Sequence, residues 1–539
     1  MHPGPDLGAP PARRGPIDPI DFGVEQFTVA AVLDRRAEHF PDRVMMAVGG
    51  TAITFAQMQQ RSRAAASVLL DLGIGPGECV ALFTATCPEW IYFWLGAARI
   101  GAVTAAVNAA NKGDFLVQAL RLARAKVLLV DAERRPRVEE VTDRLDATIY
   151  NVGQGYSLDD VSGSTRAVVD GPVASNQVGS LFFTSGTTGA SKAVATTWDY
   201  LFTAAASVAS AWEFGAGEVL WTAMPLFHLS AAPTVLAPML VGGTTVLATT
   251  FHPAQVWDEV RACGAVGFAG GGAMVSMLWN QPADPRDAEL PLRFISAAPI
   301  DAGLYRAIQE RYRCRIVTMY GLTEAFPVAV KGVADQGVPG TSGRINPSFE
   351  VRILDADGNP LPVGTAGEIA CRPKYPHVMS EGYVTAPGRD PGMRVERHPE
   401  WFRTGDLGRL DADQNLTYLD RVKDSLRRRG ENISSVEVEQ VVVQHPAVVE
   451  AAVIGVPSDL GEDDILVIVT VAPQSTLDYT QLLDFCSTRM PYFCVPRYVE
   501  IVDEIPKTII GRMRKDLLRA RGVSPAAWDR ENHGYVVSR

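Results

Sequence analysis

Hydrophobic positions recur at two different periods from residue 28 to residue 133. Residues 29–39 and 55–72 carry apolar side chains three and four apart, the second run stopping at Gly73, and both predict amphipathic helices. Cys79-Val80-Ala81-Leu82-Phe83 is a short unbroken apolar run, which predicts a buried strand. Residues 90–100 predict a helix, 102–107 a strand, 115–123 a helix and 127–130 a strand. Such alternation implies βαβ units and a largely parallel sheet with both faces covered. Residues 135–175 are polar and weakly patterned, with one short strand expected near 147–152.

The alternation resumes with a helix at 200–212, a strand at 219–223 and further βα pattern through 235–240 and 244–249. A helix is expected at 253–263, a glycine-rich loop at 267–272, a helix at 273–279, and strands at 292–297 and 316–320. From about residue 338 the pattern shifts to short strands and turns, a small antiparallel sheet or distorted barrel. The charge-dense Asp420-Arg421-Val422-Lys423-Asp424 separates this region from an α+β remainder and marks a hinge. The expected fold is therefore α/β. A large N-terminal domain of βαβ-type sheets carries a small distorted β-barrel and is followed by a smaller, mobile α+β C-terminal domain. The boundaries are an arm at 1–27, the large domain at 28–422 and the small one at 423–539.

A chain of 539 residues exceeds what one core supports, so two or more domains are required. The net charge of −11 argues against nucleic acid or an anionic membrane as partner. Seven cysteines are scattered without any CxxC, which suits reduced thiols in the cytoplasm rather than a disulfide framework or a zinc site. The N-terminal arm has no apolar h-region, so no signal peptide is expected. Residues 229–250 lack charge but contain Pro233, Pro238, Gly242 and Gly243, a buried core segment rather than a membrane span.

The chemistry concentrates in Phe183-Thr184-Ser185-Gly186-Thr187-Thr188-Gly189-Ala190-Ser191-Lys192, directly after a short apolar run. Glycines permit close backbone approach, hydroxyls donate hydrogen bonds and lysine adds a point charge, which together suit a polyphosphate. The spacing is not that of the Walker P-loop, and alone the run fits a polar turn equally well. Strands ending in His228, in Ala298 and in Thr323-Glu324 are candidates to line one crevice with this loop, since ligands gather at the carboxyl ends of strands in open α/β sheets.

Together with Tyr320-Gly321-Leu322-Thr323-Glu324, Trp401 through Asp406, Arg421 with Lys423, Arg428-Arg429-Gly430-Glu431-Asn432-Ile433-Ser434 and Pro506 through Lys515, the chain resembles the adenylate-forming superfamily. That superfamily holds acyl- and aryl-CoA synthetases, peptide-synthetase adenylation domains and luciferases. The motifs stand in order from residue 28 to 520, and the segment 428–434 is most similar to carnitine/crotonobetaine-type and fatty acid CoA ligases. The resemblance implies ATP-dependent conversion of a carboxylic acid to acyl-AMP, then transfer to coenzyme A. It implies that Thr184, Ser185, Gly186, Thr187, Thr188, Gly189 and Lys192 hold the β- and γ-phosphates, and that Tyr320 stacks on adenine with Ala298 and Gly321 beside it. Thr323 would contact the α-phosphate, Glu324 with Thr184 would hold Mg²⁺, and Asp406 and Arg421 would hold the ribose. His228 would gate the acid pocket, which His228, Gly271, Met274, Ser296, Ala297, Ala325 and Phe326 would line. Lys423 would be the hinge and Gly430 would pass the pantetheine arm.

Four positions depart from the pattern. Arg512 stands where a lysine normally bridges carboxylate and α-phosphate, and the two are not interchangeable, so Arg512, Lys515 or Lys507 could carry that role. Ser191, Ala193 and Ser296 replace a proline and two glycines. No acidic side chain falls between 225 and 241 to pair with an amino acid's ammonium, so a hydrophobic acid is expected. Two other readings stay open: an adenylating enzyme with another second nucleophile or with nitrite as the activated acid, and a non-catalytic adenylate-binding protein. The chain is expected to act as a monomer or homodimer.

Overall fold

The computed structural model describes residues 16–152, 173–184, 192–298, 300, 302–335, 339–385, 394–421, 426–428, 431–433, 435–458, 463–472, 475–490, 492, 494–508 and 513–537. Two large sheets carry the first four-fifths of the chain. In the eight-stranded one, Val178–Thr184, Val103–Ala106, Cys79–Phe83, Ala125–Asp131 and Thr148–Val152 run parallel in that spatial order. Lys192–Thr197, Gly382–Val384 and Val395–Arg397 extend it antiparallel beyond Val178–Thr184. In the thirteen-stranded sheet, Thr244–Leu247, Val219–Thr222, Gly267–Ala269, Phe294–Ser296 and Arg315–Tyr320 are parallel neighbours. The carboxyl ends of these strands consequently share one edge.

Two of the long helices start where threonine side chains cap them. Thr54 and Gln57 exchange hydrogen bonds in a capping box ahead of Phe55–Asp71, and Thr197 accepts from the Tyr200 amide ahead of Trp198–Trp212. Helix Pro88–Arg99 lies so close to Phe55–Asp71 that a Cβ on Gly96 would sit 2.8 Å from the Ser62 carbonyl oxygen. Arg99, buried on that helix, donates to Ser62 at 2.8 Å and pairs with Asp34 at 2.5 Å, so its charge is matched within the core. The uncharged stretch 229–250 contains the buried helix Ala232–Val241, and among the described residues no helix is long and apolar enough to cross a membrane.

One expectation requires correction, and one helix was not foreseen. Residues 267–269 form a central strand, not loop; glycine is needed there because a Cβ on Gly267 would lie 2.2 Å from the Phe294 ring. Helix Ala302–Tyr312 was not foreseen, although Asp301 stands directly before it as a start signal. Trp401 through Asp406 lies mostly in strand Phe402–Leu410, whose left-handed Gly405 (φ 69°) falls where its register with Gly367–Pro373 shifts. That strand and its antiparallel neighbours join the end of the thirteen-stranded sheet through Arg315–Tyr320.

After Arg421 the described strands pair only among themselves, in a two-stranded ladder and a four-stranded sheet of Val448–Pro457, Asp463–Val471, Tyr498–Ile501 and Trp528–Asp529. Gly267→Ala should destabilise the N-terminal part by about 1–3 kcal/mol through overpacking. The measurement is a melting temperature: it falls for Gly267→Ala and holds for Gly271→Ala, whose Cβ would meet nothing within 4 Å.

Candidate active site

Strand register places the first charged group, Lys192, beside Thr184 and Tyr383. Thr184 pairs with Lys192 and Phe182 with Val194 across the hairpin, while Tyr383 pairs with Val194 from the other side. Side chains two apart on a strand share a face, so Thr184, Lys192 and Tyr383 all project from one surface. There the Lys192 ammonium lies 4.4 Å from the centroid of the Tyr383 ring, within cation–π range.

Beyond the Arg315–Tyr320 strand, a tight loop exchanges backbone hydrogen bonds between Leu322 and Ala325. A Cβ on Gly321 would lie 2.7 Å from both the Ala325 oxygen and the Phe326 ring, so only glycine lets this loop close. Two tyrosines hold polar groups of the loop, and a third holds Asp406 on strand Phe402–Leu410. Tyr200 donates to the Thr323 carbonyl at 3.1 Å, Tyr383 to Glu324 Oε1 at 2.6 Å, and Tyr320 to Asp406 Oδ2 at 2.8 Å. Burial pushes all three phenols up from their ordinary range and so weakens them as acids, and each remains a donor at neutral pH. Glu324 is 7% exposed and Asp406 3%. Asp406 also meets Arg421 Nε at 2.9 Å, its direct cross-strand partner, and the Tyr320 ring stacks on Tyr418 at 6.0 Å.

Part of the expected acid pocket, the residues from 271 to 274 and from 296 to 298, comes together through backbone contacts. Gly270 N–H donates to the Ser296 carbonyl at 3.0 Å and Gly272 N–H to Ala298 at 3.2 Å, which sets Gly271 and the helix bearing Met274 against Ser296, Ala297 and Ala298. Ala297 and Ala325 are buried. His228 precedes the turn Leu229–Ala231 with its ring 4.5 Å from Phe227, and burial pushes its imidazole down to about 4. It is neutral at physiological pH, so none of the seven side chains expected to line the acid pocket carries charge.

Sequence reasoning missed Tyr383, Tyr200 and the pair behind them: Ser380, whose N–H donates to the Glu324 carbonyl and whose Oγ lies 2.8 Å from His398 Nε2. The Gly382-Tyr383 dipeptide offers no local signal; only the pairing with Lys192–Thr197 places it. Ser185, Gly186, Thr187, Thr188, Gly189, Lys423, Gly430 and Arg512 lie outside the described residues.

The structure places both Lys515 and Lys507 in ion pairs. Lys515 contacts Glu439 at 2.8 Å and donates to Ser435 Oγ, and Ser435 in turn donates its N–H and hydroxyl to Asp420. Lys507 is paired with Glu450.

No group of three or more His, Cys, Asp or Glu side chains gathers among the described residues. A single buried carboxylate, with a hydroxyl at Thr184, still fits Mg²⁺, which binds through one or two carboxylates and completes its shell with phosphate and water oxygens.

Comparison with known proteins gives a consistent result. A profile described as "AMP-binding enzyme" matches residues 33–384, and one described as "AMP-binding enzyme C-terminal domain" matches 437–512. A crotonobetaine/carnitine–CoA ligase of Salmonella paratyphi B is 29% identical over 485 residues, covering 86% of this chain and 93% of that one. An anthranilate CoA ligase solved with anthranoyl-AMP superposes with a TM-score of 0.83 at 25% identity, covering 94% and 99%. ATP-bound MatB from Rhodopseudomonas palustris gives 0.81 at 25% identity, covering 92% and 99%.

The buried imidazole has a measurable consequence. Below its unfolded value of 6.5 the unfolded chain binds a proton at His228 that the folded chain refuses until about pH 4, so stability falls as pH drops through that window. Melting temperatures from pH 7 to 4.5 should therefore fall less steeply for His228→Gln than for the wild type.

Proposed function

The chain belongs to the AMP-binding enzymes and is an ATP-dependent, AMP-forming acid–CoA ligase; we propose that its acid is hydrophobic and that the residues assembled above divide the work as follows. The observation that supports this reading best is the pair of buried carboxylates, Glu324 and Asp406, held by tyrosines on the loop and strand that border one crevice. Asp406 accepts from the ribose hydroxyls with Arg421 beside it, and Tyr320 takes the adenine face. Thr184 and Lys192 border the loop 185–191, which holds the β- and γ-phosphates. Glu324 and Thr184 are the ligands for Mg²⁺, which when bound neutralises phosphate charge. Thr323 contacts the α-phosphate.

A carboxylate oxygen of the acid attacks the α-phosphorus, the bond to pyrophosphate breaks, and the CoA thiolate then displaces AMP from the acyl carbon. Catalysis of this kind comes mainly from positioning and charge stabilisation. Arg512 bridges the acid and the α-phosphate, a role supported by the engagement of Lys515 with Glu439 and of Lys507 with Glu450. The uncharged lining from His228 to Phe326 takes the rest of the acid, with aromatic acids such as anthranilate first in the panel. Rotation about Lys423 brings Gly430 to the pantetheine arm for the second step. A reaction drawing on ATP and CoA belongs in the cytoplasm.

With ATP, MgCl₂ and an acid panel, the wild type should release pyrophosphate and consume CoA in equal amounts, and EDTA should stop both. Pyrophosphate release without CoA consumption would indicate a different nucleophile, and no release with any acid a binding protein. Arg512→Ala should slow release by about a hundredfold or more, and full activity in that variant alongside an inactive Lys515→Ala would reassign the bridging cation.

A further inference from the structure

We propose that Tyr383 is a positioning residue that sets the metal-binding carboxylate and the phosphate-binding lysine with one side chain. The proposal rests on the reading of Glu324 as the magnesium ligand. The Tyr383 hydroxyl donates to Glu324 Oε1 at 2.6 Å, and the ring of the same residue receives the Lys192 ammonium at 4.4 Å. Glu324 and Lys192 lie on different sheets, one after the strand Arg315–Tyr320 and one at the start of Lys192–Thr197. Tyr383 touches both because its short strand pairs with Lys192–Thr197 in the register that opposes it to Val194.

The two contacts differ in kind. The phenol holds one carboxylate oxygen and thereby fixes the plane of the group, leaving Oε2 aimed by that hydrogen bond. A carboxylate free to rotate would have to be ordered by the metal itself, at a cost in affinity. The ring attracts the ammonium without neutralising it, so Lys192 is held in place with its full charge available to an anion. From behind, His398 packs edge-on against the ring at 5.1 Å, and His398 shares a hydrogen bond with Ser380, whose N–H donates to the Glu324 carbonyl. The ring is thus braced by the segment that also anchors the Glu324 backbone.

The contacts can be separated by substitution. Tyr383→Phe keeps the ring and removes the hydroxyl; Tyr383→Leu removes both. Two readouts apply: the MgCl₂ concentration giving half-maximal pyrophosphate release, and the melting-temperature rise given by ATP in EDTA and by ATP with MgCl₂. Tyr383→Phe should raise the MgCl₂ midpoint about tenfold, the order expected for a hydrogen bond to a charged group. It should keep the stabilisation by ATP in EDTA and lose most of the increment that MgCl₂ adds. Tyr383→Leu should lose the EDTA response as well, with a higher KM for ATP. Glu324→Gln serves as the reference: it should raise the midpoint on its own, and adding Tyr383→Phe to it should change little further. An unchanged or lowered midpoint in Tyr383→Phe, with Glu324→Gln raising it, would overturn the positioning role and leave the metal reading intact. A midpoint unmoved by Glu324→Gln would overturn the metal reading itself. Equal loss of kcat in both Tyr383 variants at saturating MgCl₂ and ATP would reduce Tyr383 to a structural wall.

Discussion

Two carboxylates buried at the mouth of an apolar sheet set the terms for the rest of the site. An unpaired charge in such surroundings is heavily penalised, and removing one partner of a buried pair costs about 3–5 kcal/mol. Glu324 and Asp406 each meet a tyrosine hydroxyl, and Asp406 adds a guanidinium from the next strand. The phenols come from distant parts of the chain: Tyr320 from the strand of the loop itself, Tyr383 from the other sheet, and Tyr200, which holds Thr323, from the helix between the sheets. Keeping two negative charges in place therefore locks both sheets and a helix to one loop.

That locking explains why glycines fall where they do. Gly321 must lack a side chain for the loop to fold back onto Phe326, and Gly267 must lack one for its strand to pass the Phe294 ring. The first sets the position of Thr323 and Glu324. The second sets the spacing of the strands whose ends carry Ser296 through Ala298.

Much of this was legible in the chain. Helices such as Phe55–Asp71 and strands such as Cys79–Phe83 were readable because local period and buried faces agree there. Motif order pointed to Tyr320, Glu324, Asp406 and Arg421, and the structure joins Tyr320 and Arg421 to Asp406 directly. Contacts made only across long separations were not legible. The glycine-rich run 267–272 looked like a loop because the strand character of its first three residues comes from neighbours on both sides. Tyr383 carries no local signature, since its partners Glu324 and Lys192 are set by sheet register. The ion pairs of Lys515 and Lys507 were invisible for the same reason, with Glu450 lying 57 residues before Lys507.

Those pairings bear on how a protein of net charge −11 handles a triphosphate. Basic residues near its motifs are largely matched: Arg421 by Asp406, Lys507 by Glu450 and Lys515 by Glu439. An ion pair of that sort offers little net charge to a further anion. The contact given to Lys192 is different, because an aromatic ring has no charge to cancel the ammonium. An exposed lysine held against a ring keeps its attraction for phosphate while losing part of the freedom it would otherwise surrender on binding. In an acidic protein, a few cations treated this way suffice where a broad basic surface is lacking, and the attraction stays confined to the place where the polyphosphate must lie.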